Sequence, residues 1–154
     1  MTNCIPFSIP EINDEEINEV IETLRSGWVT TGPKVKQFES DFQNYICADV
    51  EVIAVNSCTA GLHLALDSLD VSEGDEVIVP SLTFTATAVV ARYLGADVRL
   101  VDVDPVTLNI DITSIRNAIT SKTKVIMPVH YAGLSCDMDE ILSLAKEFGL
   151  KVVE

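Results

Sequence analysis

The stretch GDEVIVPSLTFTATAVVARYLGADVRLVDV, residues 74–103, decides the fold class of this chain. It predicts a Val/Ile-rich strand over residues 76–79, a helix over 84–94 that ends at Gly95, and a second strand over 97–103. Neither strand alternates strictly between apolar and polar residues, which is typical of strands that helices cover on both faces. A strand–helix–strand unit of this kind joins parallel strands through a right-handed crossover.

The same alternation of short β-branched runs and amphipathic helices extends to both sides of this unit. Further strands are predicted at residues 52–55, 124–129 and 150–153, and further helices at 59–69, 112–119 and 138–148. Neither an internal repeat nor a low-complexity linker interrupts the series. Repeated strand–helix–strand units predict an α/β fold with a mainly parallel sheet and helices on both of its faces.

The N-terminal part of the chain has a different, helical pattern. A helix is predicted to begin at Asn13, where Glu16 completes a capping box, and to end at Gly27, which suits a left-handed C-cap. A loop with two glycines and a proline leads into a second helix, whose apolar face carries Val35, Phe38, Phe42 and Tyr45. We therefore divide the chain into a helical arm with its loop, residues 1–48, and an α/β region, residues 49–154.

The composition restricts the classes of function that are open to this chain. In 154 residues, 24 acidic side chains against 10 basic ones give a formal net charge of −14, and no run of Lys or Arg occurs. Such an acidic chain disfavours contact with nucleic acid or with an anionic membrane. The N-terminus lacks a signal-peptide pattern and no apolar run approaches the roughly 18 residues of a spanning helix, so we expect a cytoplasmic protein without membrane insertion.

The cysteines and histidines are scattered, without the spacing of a metal site and without a CxxC motif. We therefore expect reduced thiols and no metal ligands. The residues concerned are Cys4, Cys47, Cys58, Cys136, His63 and His130.

Three segments that directly follow predicted strands carry the candidate chemistry. The first, residues 56–62, leaves a strand and opens a helix, so its free backbone N–H groups and the positive helix end suit a phosphate. Ser57 and Thr59 add hydroxyl donors, and an ordinary Ser/Thr helix cap remains the alternative interpretation. The segment has neither the GxxxxGK[ST] pattern nor the GxGxxG pattern, which weakens a dinucleotide interpretation.

The other two segments supply an aromatic residue and a histidine. Residues 80–87 place Phe84 after a strand, where it can stack on a flat cofactor ring or belong to the core. Residues 128–133 place His130 after another strand, where it can be an acid, a base, a hydrogen-bonding wall or a structural residue. Because the carboxyl ends of parallel strands meet at one edge of a sheet, the three segments together predict a small-molecule site there.

Six motifs, collinear along nearly the whole chain, resemble the DegT/DnrJ/EryC1/StrS family of sugar aminotransferases. They are SGWVTTGP (26–33), NSCTAGLH (56–63), GDEVIVP (74–80), TFTAT (83–87), VDVD (101–104) and PVHYAG (128–133). Each motif is weak by itself, whereas their common order makes the resemblance strong. It implies the N-terminal part of the large domain of a fold type I transferase that depends on pyridoxal 5′-phosphate.

The resemblance also implies roles for individual residues. The backbone amides at the start of the predicted helix hold the cofactor phosphate, and an aromatic residue stacks on the pyridine ring. The positions that it assigns to the cofactor are Cys58, Thr59, Ala60 and Phe84. The loop over residues 28–33 lies near the active site at a homodimer interface. The positions that it assigns to the substrate are Thr31 and His130, the latter without a catalytic role.

The match to the family stops within a functional motif. Glu154 corresponds to the first residue of the family's Glu-Asp-x-Ala-His segment, so the aspartate that pairs with the pyridinium nitrogen lies beyond it. The lysine that holds the cofactor covalently also lies further along. We therefore expect that this chain contains no catalytic residue of the family and is inactive without the missing portion. Residues 49–154 are then an incomplete cofactor-binding large domain, which ends before the segment that bears the lysine.

In the whole enzyme, the resemblance implies transfer of an amino group, commonly from glutamate, to the 4-keto carbon of a nucleotide-linked sugar. The product serves lipid A, O-antigen or other surface-glycan synthesis. Two motifs are worded most like those of enzymes that aminate a UDP-linked 4-keto-pentose, and enzymes for 4-keto-6-deoxyhexoses share much of that wording. A sugar dehydratase of the same family, or a non-enzymatic α/β binding module, remains an alternative.

Overall fold

A computed structural model describes residues 8–46 and 49–154 of the chain. The chain divides into two compact units, with the boundary between Ala54 and Val55. Cys4 and Cys47 lie outside the described residues, whereas Cys58 is an exposed and Cys136 a buried free thiol. In the described part, no helix is long and apolar enough to cross a membrane.

The first unit contains two helices, α1 (Asp14–Ser26) and α2 (Pro33–Ile46). The predicted start of α1 is confirmed, because the Asn13 N–H donates a hydrogen bond of 2.6 Å to the Glu16 carboxylate. Its predicted end is confirmed by Gly27, which has a left-handed φ of 72° and donates its N–H to the Leu24 carbonyl. Local capping chemistry therefore suffices to fix both ends of this helix.

The second unit contains a four-stranded parallel sheet with the strand order β2-β1-β3-β4. In chain order, its elements are α3 (Cys58–Ser68), β1 (Glu76–Pro80), α4 (Ala86–Tyr93), β2 (Asp97–Val101), α5 (Ile112–Ala118), β3 (Thr123–Ile126), a 3₁₀ turn (Tyr131–Gly133), α6 (Met138–Phe148) and β4 (Lys151–Val152). The predicted α/β architecture is confirmed.

Buried apolar side chains form two clusters, one on each face of the sheet. Val77 and Val79 of β1 belong to the first cluster, with side chains of α3 and α4. Ile78 points the other way and belongs to the second cluster, with side chains of α5 and α6. Successive strand residues alternate between faces, so an unbroken Val/Ile run is what a sheet covered twice requires.

The prediction of a strand over residues 52–55 is wrong. Among the described residues this segment pairs with no strand, and Ile53 is 77% exposed. The Ala54 N–H donates instead to the Glu39 carboxylate at 2.9 Å. A β-branched run forms a strand only where a neighbouring strand accepts its backbone hydrogen bonds, and composition alone does not supply that neighbour.

Three strands, β2, β3 and β4, are also shorter than predicted, and β4 consists of Lys151–Val152 alone. β2 ends at Val101, because Val103 forms an isolated antiparallel bridge with Ile110 rather than continuing beside β1. β3 ends at Ile126, and Pro128 two residues later has no N–H to offer a ladder. The early end of β3 leaves Pro128, Val129 and His130 as loop residues at the carboxyl edge of the sheet, where they can contact a ligand.

Candidate functional site

A cavity of about 380 Å³ opens at the carboxyl ends of β1, β3 and β4. The chain runs from β1 to β2 on one side and then crosses to β3 on the other side of β1. Ligands of open α/β sheets bind at such a switch point. The cavity is lined by Cys58, Thr59, Leu62, Thr83, Phe84, Ala86, Thr87, Met127, Pro128, Val129, His130, Val153 and Glu154. The three segments singled out in the sequence therefore meet at one site.

The start of α3 supplies backbone donors to this cavity. The Ser57 hydroxyl accepts the Ala60 N–H at 3.1 Å, so the ordinary helix cap expected as an alternative is present. The N–H groups of Cys58 and Thr59 have no hydrogen-bond partner within the described part of the chain, and both residues line the cavity. Together with the positive end of the helix dipole, these two groups fit a phosphate.

Ala60 differs from its two neighbours. It does not line the cavity, and its N–H already bonds to Ser57. Its predicted contact with the cofactor phosphate stays a prediction. An anion that approaches the helix start meets Cys58 and Thr59 first, so those two amides are the donors that the geometry favours.

Phe84 forms an aromatic wall of the cavity. Its side chain is 79% exposed, so it is not a core residue. The segment before α4 is held by a 2.8 Å hydrogen bond between the Thr83 and Thr87 hydroxyls. The Phe84 carbonyl also accepts the Thr87 N–H at 3.1 Å. An exposed ring on a segment held in this way can stack on the flat face of an aromatic ligand.

Both ring nitrogens of His130 are hydrogen-bonded. The Cys136 backbone N–H donates to Nδ1 at 3.0 Å, so Nδ1 is an acceptor and the ring proton of the neutral form lies on Nε2. Nε2 lies 2.8 Å from the Glu154 carboxylate and donates to it. In the described structure, His130 is therefore a bridge between two protein groups.

A buried amide holds the loop that follows His130. The Asn109 side chain, 6% exposed, donates to the carbonyls of Leu134 and Ser135 at 3.1 and 3.0 Å. Its oxygen accepts the Tyr131 N–H at 3.0 Å. This one side chain therefore satisfies three backbone groups of a loop in which Ala132 has a left-handed φ of 50°.

Cys136 is a packing residue of the same loop. Its thiol donates to the Val129 carbonyl at 3.3 Å, and burial raises the pKa of that thiol above its ordinary value. A buried thiol with a raised pKa is a poor nucleophile. Cys136 contacts the site through its backbone rather than its thiol, because its N–H orients the His130 ring.

The sequence reasoning did not identify Asn109, Cys136 or the contact of Glu154 with His130. Asn109 lies about 25 positions from the carbonyls that it binds, and no local pattern marks such a contact. Thr31, the other predicted substrate residue, belongs to the first unit, where its carbonyl accepts the Trp28 indole N–H at 3.0 Å. Its role in binding substrate stays a prediction.

The family model of the DegT/DnrJ/EryC1/StrS aminotransferases matches residues 10–154. This chain belongs to that family. The resemblance found in the sequence motifs is confirmed at this level, and so is the fold that it implied.

Two curated relatives are similar over nearly the whole chain. The spore coat polysaccharide biosynthesis protein SpsC of Bacillus subtilis is 49% identical over 150 residues, which are 97% of this chain and 38% of SpsC. An uncharacterised protein of Methanocaldococcus jannaschii, MJ1066, is 52% identical over 149 residues, again 97% of this chain and 38% of the relative. The chain thus spans a little over a third of the length of these relatives.

Solved structures give the same result. A Streptococcus pneumoniae protein described as a sugar aminotransferase, in its pyridoxal-phosphate form, superposes with a TM-score of 0.89 at 44% identity, covering 97% of this chain and 38% of that one. NtdA of Bacillus subtilis, with bound pyridoxamine phosphate, gives 0.86 at 35% identity, covering 99% and 37%. These two structures hold the two forms of the cofactor that the sequence predicts.

Proposed function

We propose that this chain is the cofactor-cradling portion of an aminotransferase that moves an amino group from glutamate to the 4-keto carbon of a nucleotide-linked sugar. One observation carries the proposal: two unpaired amides of α3 and the exposed ring of Phe84 line the same cavity at the switch point of the sheet. That combination suits a flat ring that carries a phosphate.

Each wall of the cavity has its own part in this proposal. The backbone amides of Cys58 and Thr59 bind the phosphate, with Ala60 next to them at the start of α3, and Phe84 packs on the ring. When bound, the cofactor supplies an electron sink for the carbon that bears the amino group. The chain's own residues therefore bind and orient the cofactor. The apolar side chains of Leu62 and Met127, which line the cavity, exclude water from the cofactor ring.

The remaining parts of the enzyme are also proposals. Residues 1–48 form a helical arm and loop that reach the active site of a homodimer, and residues 49–154 form the first part of the cofactor-binding domain. Thr31 and His130 lie on the substrate side. The aspartate that pairs with the ring nitrogen and the lysine that holds the cofactor follow Glu154 in the whole protein, so this portion is inactive alone.

The substrate is proposed from motif wording and from the relatives' names. SpsC is named for polysaccharide biosynthesis, and the pneumococcal structure is described as a sugar aminotransferase. We propose a UDP-linked 4-keto-pentose as substrate, in a cytoplasmic step of lipid A, O-antigen or other surface-glycan synthesis. These relatives do not favour the dehydratase or the non-enzymatic binding module.

The proposal is tested on the whole protein by a binding assay and a reaction assay. Phe84→Ala is expected to weaken pyridoxal phosphate binding about tenfold, because it removes the stacked ring. Leu100→Ala, an exposed apolar residue of β2 outside the cavity, is the matched control and leaves binding unchanged. Glutamate is expected to yield more than one equivalent of 2-oxoglutarate per cofactor only when a UDP-linked 4-keto sugar is present. A protein that binds no pyridoxal phosphate would contradict the proposed function.

A further inference from the structure

The contact between His130 and Glu154 joins two of the strand ends that form the cavity. His130 follows β3 and Glu154 follows β4, and the two side chains meet at 2.8 Å. Both residues line the cavity that contains Cys58 and Thr59. Among the described residues of the cavity wall, Glu154 is the only carboxylate.

The position of the His130 ring is set by hydrogen bonds on its Nδ1 side. The Cys136 backbone N–H holds Nδ1, and the Asn109 side chain fixes the loop between His130 and Cys136 by three hydrogen bonds. The ring therefore presents Nε2–H in one direction, toward Glu154. A donor fixed in this way costs little entropy when it makes its hydrogen bond.

A carboxylate in this cavity is a hazard for an anionic ligand. A phosphate ester at the start of α3 carries negative charge, and like charges that share one cavity repel one another. A hydrogen bond from a fixed N–H restrains the carboxylate and stabilises its charge where it stands. If this hydrogen bond is lost, the donor no longer offsets the charge of the Glu154 carboxylate, and the repulsion between that carboxylate and a bound anion increases.

We propose that His130 is a positioning residue, which holds the Glu154 carboxylate at the wall of the cavity so that a phosphate-bearing cofactor can bind beside it. This inference rests on the proposed function, since it presupposes an anionic cofactor at α3. It replaces a contact of His130 with substrate by a role that acts through Glu154.

The test uses pairs of variants in the encoded protein and pyridoxamine 5′-phosphate as the probe, with its dissociation constant measured by calorimetry. His130→Asn keeps an oxygen near the place of Nδ1 for the Cys136 N–H but does not reach Glu154. It is expected to weaken binding about tenfold, the size of one charge-assisted hydrogen bond. His130→Gln keeps a donor near the place of Nε2 and is expected to bind within about twofold of the wild type.

The decisive variant combines His130→Asn with Glu154→Gln. Removing the charge is expected to restore binding to within about twofold of the wild type, which a purely structural role or a direct contact of His130 with the probe does not explain. His63→Asn, a histidine of α3 outside the cavity, is the matched control and leaves binding unchanged. Nitrogen-15 NMR of the wild type is expected to show the Nε2–H form of His130.

The outcomes separate the two proposals. If the wild type binds pyridoxamine phosphate but the double variant binds it as weakly as His130→Asn alone, the positioning role is overturned and the proposed function stands. An Nδ1–H form of His130 would also overturn the positioning role. A wild type that does not bind pyridoxamine phosphate would overturn the proposed function and this inference with it.

Discussion

Helices α1 and α6 have the same local design and different surroundings. Each has acidic residues in its first turn, a basic residue in its last turn and a left-handed glycine at its C-cap, Gly27 or Gly149. In α6 the apolar stripe is buried in the second cluster, with Leu144 only 2% exposed. In α1 no residue is buried, and Leu24 is 64% exposed.

The difference between the two helices shows which properties are local. Capping and periodicity fix where a helix begins and ends, and they act alike in both units. Burial depends on a second element that covers the stripe, and for α6 the parallel sheet is that element. Substitutions that act through burial should therefore separate the two helices, and substitutions that act through capping should not.

The largest expected effect compares the same substitution in the two helices. Leu144→Ala is expected to lower the free energy of unfolding by about 2–5 kcal/mol, because it leaves a cavity in the core. Leu24→Ala is expected to change it by less than about 1 kcal/mol, since its side chain is already in water. Urea unfolding of the two variants measures both values, and equal losses would show that the α1 stripe is covered in the whole protein.

The next effect concerns the buried amide beneath the site. Asn109→Ala is expected to cost about 1–3 kcal/mol, because the carbonyls of Leu134 and Ser135 and the Tyr131 N–H lose their partner. Asn44→Ala, at an exposed position of α2, is the matched control and costs nothing. Hydrogen exchange at the Tyr131 amide should become faster only in the first variant. Unchanged exchange there would exclude the clamping role of Asn109.

The C-cap glycines are expected to behave alike. An added Cβ meets no atom within 4 Å at Gly27 or at Gly149, but φ is 72° and 69° respectively. Alanine at either position therefore costs about 1 kcal/mol of local backbone strain. Hydrogen exchange in the last turn of each helix measures this cost. A clear difference between Gly27→Ala and Gly149→Ala would mean that capping depends on the surrounding unit.

The smallest expected effect is a pH dependence from Asp75 in the second unit. Burial by itself raises the pKa of this carboxyl, but hydrogen bonds from Ser72 and from Lys124 at 3.1 Å outweigh it, so the pKa lies below the ordinary value of 3.8. A lowered pKa in the folded state stabilises the protein above pH 3.8, and this stability is lost as the pH falls through the folded-state pKa.

Asp75→Asn removes this contribution. The wild type should therefore lose more stability than the variant when urea midpoints at pH 6 and pH 3 are compared. The pair of Lys34 with Glu22 in the first unit, 3.3 Å apart, is exposed, so solvent screens it. Removing this pair is therefore expected to change the acid sensitivity less than Asp75→Asn does. An equal acid sensitivity of wild type and Asp75→Asn would contradict the lowered pKa.

Much of the fold followed from local patterns, and the errors arose where the structure depends on distant partners. The Val/Ile run at residues 76–79 became a strand because β2 and β3 flank it in the sheet order, and residues 97–101 became an edge strand because β1 lies beside them. Residues 52–55 have the same composition and no pairing strand among the described residues. Propensity reports a side chain's preference for a pleated surface and does not show whether that surface exists.

The same division holds at the site. Phe84 could be predicted, because its place between the end of β1 and the start of α4 is visible in the sequence and lies where α/β sheets bind ligands. Thr59 could be predicted from the helix start alone, although residues 52–55 before it form no strand. The pair of His130 and Glu154 could not, since the two residues are 24 positions apart and meet only when β3 and β4 lie side by side. Its position in the cavity required the structure.

The most direct measurement is a crystal structure of the encoded protein with pyridoxal phosphate. We expect the phosphate within hydrogen-bonding distance of the Thr59 backbone N–H, with the ring face packed on Phe84 and the Glu154 carboxylate still bonded to His130. A phosphate bound away from the start of α3, with Phe84 free of the ring, would contradict the assignment of this cavity to the cofactor.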